Sequence, residues 1–234
     1  MNNNNYIGRT HHKFESVLNF YAARIFKPVL DIENVLALET KEHFRTPPEK
    51  SEMHPIEKGT KWGEEYGNIW LRCEVTVPEE CEGLLIGAVP TGRAREILCF
   101  KNGEPAGIIN SKNRFIGGEH SCMIISGSAN AGEKIDLAFE CYAGHTEFGC
   151  APYESYMRDE SVPDSFALTF EGVQLVVLDE VINNFVFDVA TVLQLSRLPG
   201  ENYASMKAHQ ALIDAFPYLI QDIRSASDEE IHAS

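Results

Sequence analysis

The chain's two tryptophans, Trp62 and Trp70, enclose Gly63, Glu64, Tyr66, Gly67 and Asn68. Aromatic faces stack on the C–H faces of sugar rings while polar neighbours orient the hydroxyls, so this cluster could form a carbohydrate platform. The competing reading is that both indoles close the end of a hydrophobic core, the usual fate of large aromatic side chains. A second polar spot is Gly144-His145-Thr146-Glu147-Phe148-Gly149. Here a histidine, a hydroxyl and a carboxylate lie between glycines that permit unusual backbone angles. It reads either as a ligand-binding loop or as a sandwich loop whose histidine bonds the backbone. Candidate carbohydrate contacts are therefore Trp62, Tyr66, Trp70 and His145.

Other chemistries find less footing. The eight histidines form neither H-E-x-x-H nor H-x-H, and on a helix the adjacent His11 and His12 point about 100° apart. No residue is assigned to a metal. The six cysteines contain no C-x-x-C pair, and Cys73, Cys99 and Cys122 sit in apolar runs as small hydrophobes. The N-terminus has no apolar signal-peptide core, which predicts a reducing, cytoplasmic setting. No G-x-S-x-G elbow or P-loop occurs. Among 35 acidic residues, neighbours such as Glu64-Glu65 carry little information, and no catalytic residue is assigned. Thirty-five acidic against 20 basic residues give a net charge of −15, which argues against nucleic acid and anionic membrane surfaces as partners. No apolar run approaches the ~20 residues of a membrane-spanning helix.

The elements that must position these residues change period along the chain. Phe14, Val17, Leu18, Tyr21, Ala22 and Ile25 follow a helical repeat, with Thr10 as a cap and Pro28 as a stop. Residues 42–59, rich in proline and charge, read as an extended arm. Ile69, Leu71, Cys73, Val75 and Val77 then alternate with Trp70, Arg72, Glu74 and Thr76, the mark of a half-buried strand. Further strands are predicted at 84–89, 96–100, 122–126, 134–140 and 167–178, with a tight hairpin turn at Asn102-Gly103. Helical periodicity returns with Val181, Ile182, Phe185, Val186, Val189, Val192 and Leu193. A second helix from about Tyr203 turns Ala208, Ala211, Leu212, Ala215, Phe216, Leu219 and Ile223 inward, with Pro217 kinking or breaking it. The expected organisation is an N-terminal helix and arm over 1–60, an antiparallel β-sandwich over 61–178 and a helical segment over 179–234, mainly β overall. The C-terminal Glu229–Ser234 has no helix-stop signal, so the polypeptide is expected to continue beyond it.

Trp62-Gly63, Gly67, Trp70, Arg72 and Val77-Pro78, in that order, resemble the start of the N-terminal sandwich of family 38 glycoside hydrolases, closest to the cytosolic and vacuolar type of α-mannosidase. The string Glu96 to Pro105 with Gly107-Ile108 resembles that domain's hairpin, and Glu140 to His145 resembles its late strand and loop. The helix carrying Val181, Asp188 and Leu195 is similar to the connector toward the catalytic barrel. The resemblance runs from about Phe14 to about Ile223, with Ile109-Asn110 standing where relatives often carry an acidic residue. It implies a galactose-binding-like or jelly-roll sandwich belonging to a retaining enzyme that removes terminal α-mannose with an aspartate nucleophile, a carboxylic acid/base and one zinc ion. The family's Gly-His-x-His-x-Asp zinc motif is not in this chain, so no catalytic or metal residue carries over. The expectation is a non-catalytic N-terminal domain, with zinc in the parent enzyme and the catalytic domain of the same polypeptide as partner. The alternatives are a free-standing carbohydrate-binding module and a homo-oligomerisation domain.

Overall fold

The computed structural model describes residues 3–64, 66–92, 94, 96–110, 122–144, 168–198 and 202–215. They fall into two compact units, one from Pro28 to Leu178 and one combining residues up to Lys27 with those from Asp179 onward.

The first unit is an antiparallel sandwich. Its strands are β1 (Phe26–Asp31), β2 (Leu36–Thr40), β3 (His54–Pro55), β4 (Lys61–Trp62), β5 (Asn68–Thr76) and β6 (Ile86–Gly92). They continue as β7 (Glu96–Lys101), β8 (Glu104–Asn110), β9 (Met123–Ser126), β10 (Lys134–Tyr142) and β11 (Leu168–Leu178). One sheet runs β1-β11-β6-β9, with β4 added to β11; the other runs β3-β2-β5-β10-β7-β8. Strand alternation explains the core. Leu71, Cys73 and Val75 of β5 stand opposite Phe139, Leu137 and Ile135 of β10, and all six pack against Ile86, Ala88, Val173 and Leu175 of the other sheet. Between β7 and β8 the turn residues Asn102 and Gly103 take φ of 51° and 85°, as a two-residue hairpin with matching twist requires.

Two features depart from the expected organisation. The sandwich begins at Pro28 and not at residue 61, because β1 joins β11 and β2 joins β5. Pro28 sits inside β1, an edge strand, where proline is tolerated. The helix stop is instead the turn after Ala22. Residues 42–59 are also more than an arm, since they form a strap across the outer face of the second sheet. Phe44 and Met53 pack with Leu38 and Leu98 on a small second core of Trp70, Phe100 and Ala138. Arg72 fastens the strap, donating to Asp136 Oδ2 from Nε and Nη2 at 3.1 and 2.9 Å and to the Pro48 carbonyl from Nη1 at 2.8 Å. Lys50 reaches Asp136 Oδ1 at 2.7 Å.

The second unit holds α1 (Asn3–Ala22), α2 (Glu180–Ser196) and α3 (Tyr203–Ala215). Phe14, Val17, Leu18, Tyr21 and Ile25 pack against Ile182, Val186, Ala190, Leu193 and Leu212. Asp179 caps α2 by accepting from the Ile182 N–H at 3.1 Å. Thr10 lies inside α1, so it is not the cap that its type and position predicted. Val181 is 58% exposed, because the stripe from Ile182 to Leu193 defines the buried face and Val181 sits beside it. Ala211 and Ala215 likewise face outward, while Ala208 and Leu212 are buried. Phe216, Pro217, Leu219 and Ile223 lie outside the described residues.

Candidate functional site

The Trp62–Gly67 segment folds back at one end of the sandwich. β4 ends at Trp62, paired with Leu168 of β11, and β5 starts at Asn68, opposite the last residue of β10, Tyr142. The turn between them docks on the chain leaving β10. The Tyr66 N–H donates to the Gly144 carbonyl and the Ala143 N–H donates to the Gly67 carbonyl, both at 2.9 Å. Gly63 and Gly144 take φ of 96° and 103°, which only glycine adopts cheaply. A Cβ on Gly63 would stand 3.3 Å from that of Ala143, so the close approach of the two segments needs a glycine there. Lys41 pairs with Glu64 at 3.0 Å, and Glu39 accepts from the Gly63 N–H at 3.3 Å.

This arrangement separates the four candidate residues. Trp62 is 6% exposed and belongs to the inter-sheet core. It lines a cavity of only about 10 Å³ with Leu71, Thr91, Ala94 and Phe170, room for a single water but no sugar ring. Trp70 is fully buried on the opposite face of its sheet, under the strap, with Phe44 edge-on at 6.3 Å. Its Nε1 has no hydrogen-bond partner among the described residues. The two indoles therefore occupy separate cores and offer no shared stacking face. Tyr66 is different. It is 51% exposed and holds φ at 60°, an uncommon angle for a bulky residue and one that a surrounding structure must enforce. His145 lies outside the described residues, directly after the Gly144 that anchors Tyr66.

Burial pushes the thiols of Cys73, Cys99 and Cys122 up to about 12, and it raises those of Cys81 and Cys141 as well. These five cysteines are all buried and free. On the outer face, opposite Trp70, Glu140 is pushed up by desolvation and drawn partly back by His43. Among the described residues no group of three or more His, Cys, Asp or Glu side chains converges on a point where a metal ion could sit. No described helix is long and apolar enough to cross a membrane.

Sequence reasoning missed the Arg72–Asp136–Lys50 network that pins the strap. Arg72 reads as the polar side of an alternating strand, and its partner lies 64 residues on, beyond any local pattern. The remaining signal was weak: a proline-rich segment with two spaced apolar residues, Phe44 and Met53, which a solvated arm would not need.

A family model described as "Alpha-mannosidase, jelly roll domain" matches residues 33–170. Among solved structures, a Faecalibacterium prausnitzii beta-glucuronidase aligns with TM-score 0.42 and 13% identity, over 64% of this chain and 31% of its own. A putative beta-galactosidase from Bacteroides fragilis gives 0.39 and 11%, over 65% and 23%. A Bacteroides uniformis beta-glucuronidase gives 0.40 and 12%, over 65% and 18%. The chain thus spans less than a third of the length of each. No curated protein matches it.

Proposed function

The chain belongs to the α-mannosidase jelly roll domain family, and from that premise we propose that it is the non-catalytic N-terminal domain of a retaining, zinc-dependent α-mannosidase of the cytosolic and vacuolar type. The family match carries the reading, because residues 33–170 take in the sandwich from just before β2 into β11. In this reading the nucleophile, the acid/base and the zinc belong to another part of the parent polypeptide. Among the described residues no three ligating side chains come together to hold zinc. The domain's contribution is mechanical. A sheet packed on both faces, by the inter-sheet core on one side and the strapped core on the other, makes a rigid body against which a catalytic domain can be held. A cytoplasmic setting is supported by the five buried, unbridged thiols.

The test is hydrolysis of 4-nitrophenyl α-mannoside by the chain alone, with and without added zinc. No turnover above buffer is expected, and nitrophenol release proportional to chain concentration overturns the proposal. A second reading, sugar binding by the domain itself, is favoured by one observation: Tyr66 is exposed and held at an enforced backbone angle. Calorimetric titration with mannose and methyl α-mannoside separates the two. Saturable heat that Tyr66→Ala abolishes supports a binding module, and heat unchanged by that substitution removes Tyr66 from it.

A further inference from the structure

All three helices of the second unit meet at a pair of histidines. His11 of α1 places Nε2 3.0 Å from Ser196 Oγ of α2, and the Ser196 hydroxyl donates to the Leu193 carbonyl at 2.7 Å. With its proton committed there, Oγ can only accept from the ring, so His11 carries its proton on Nε2 and leaves Nδ1 bare. The His11 ring stands edge-on to His209 of α3, centroids 5.7 Å apart. His209 Nδ1 is buried with no hydrogen-bond partner among the described residues. Arg197, the residue that caps the end of α2, faces the same corner, but its guanidinium is already paired with Glu15 of α1 at 2.6 Å. Glu15 in turn meets His12 at 3.1 Å. Among the described residues, the groups that face His11 are thus Ser196, His209, His12, Arg197 and Glu15, and the one carboxylate, Glu15, is already engaged.

We propose that this corner is a proton-sensitive latch: neutral His11 holds α1 against α2 and α3, and protonation, which keeps the Nε2–H bond to Ser196 but adds a charge beside Arg197 and His209, loosens the corner and favours opening of α1. A second positive charge would sit beside Arg197 and His209 with no uncommitted carboxylate to receive it among the described residues. Burial, then Arg197 and His209, accordingly hold His11 below the ordinary histidine range; His12 adds slightly to this and Glu15 opposes it. The sign follows from linkage. The open state binds its proton at the ordinary value near 6.5 and the closed state only lower. The latch is therefore intact above that value, weakens as pH falls through it, and has lost its full contribution below the closed-state value. Release would uncover Phe14, Val17, Leu18 and Tyr21, all now buried.

The experiment is amide hydrogen exchange across the whole chain at about pH 7.5 and about pH 5.5, corrected for intrinsic rates, on wild type and His11→Gln. Glutamine keeps an N–H for Ser196 and cannot titrate. Protection of α1 should fall in wild type, by at most about tenfold because pH 5.5 lies only one unit below the open-state value, while β10 stays level and His11→Gln stays flat in α1. Parallel loss of α1 protection in both proteins overturns the proposal. Should His11→Gln fail to fold, the His11 C2 proton titration in wild type decides by NMR: a midpoint below that of free histidine supports the latch, and one at or above it refutes the latch.

Discussion

Replacing Arg72 with methionine tests whether the strap over residues 42–59 is held by charge or by packing. Methionine keeps the apolar stem but deletes three hydrogen bonds, two to Asp136 Oδ2 and one to the Pro48 carbonyl. Each bond to a charged group in a closed site contributes about 1.5–3 kcal/mol. Here the side chains are 19% and 21% exposed, and Lys50 stays on Asp136 at 2.7 Å, so water and the lysine recover part of the loss. The expected net cost is about 2 kcal/mol, felt first where the strap opens. That figure corresponds to about a 30-fold rise in the open population. The reporters are the Glu52 and Met53 amides, which donate within the strap to Glu49 and Lys50 at 3.0 and 3.3 Å. Their exchange should quicken by that factor while β10 amides lag behind, and Trp70 emission should shift to the red as its cover lifts. If Glu52 and Met53 exchange no faster relative to β10 than in wild type, the ion pair is not what holds the strap.

Gly92→Ala places a methyl 2.5 Å from the Thr169 carbonyl at a φ of 130°, which should cost about 2–3 kcal/mol and lower the urea midpoint without changing the slope. Asp179→Ala removes the α2 cap and the contact to Lys27 at 3.8 Å, for a loss of about 1 kcal/mol in equilibrium unfolding. Burial of Cys73, Cys81, Cys99, Cys122 and Cys141 predicts that a thiol reagent at about pH 8 labels none of the five until the chain unfolds. Rapid labelling of any of them, located by peptide mass, contradicts that burial.

How much of this was legible depends on whether the signal was local. β5 was, because Ile69, Leu71, Cys73, Val75 and Val77 all point into one core. The Asn102-Gly103 turn and the α1 stripe were legible for the same reason. β1 and β2 were not. Phe26-Lys27-Pro28 and Leu36–Thr40 are short and mixed, and they become strands only because β11 and β5 offer them edges. The candidate site divided along the same line. Aromatic type alone could not distinguish Trp62, Trp70 and Tyr66, since their burial depends on whether a strap or a second sheet covers them. Even β5's polar-looking side carries Trp70 at 0% exposure, a fact set by Phe44 and Met53 from another part of the chain.

The placement of proline has a consequence for crowding. Among the described residues, three of the five strands that border the two sheets carry one: Pro28 in β1, Pro55 in β3 and Pro105 in β8. A proline offers no N–H to an incoming strand, so these borders are poor templates for the β-pairing that seeds aggregates. The remaining two are short, β4 spanning Lys61–Trp62 and β9 Met123–Ser126. At these proline-bearing borders, association of copies is steered toward side-chain contacts, which are selective where strand addition is promiscuous.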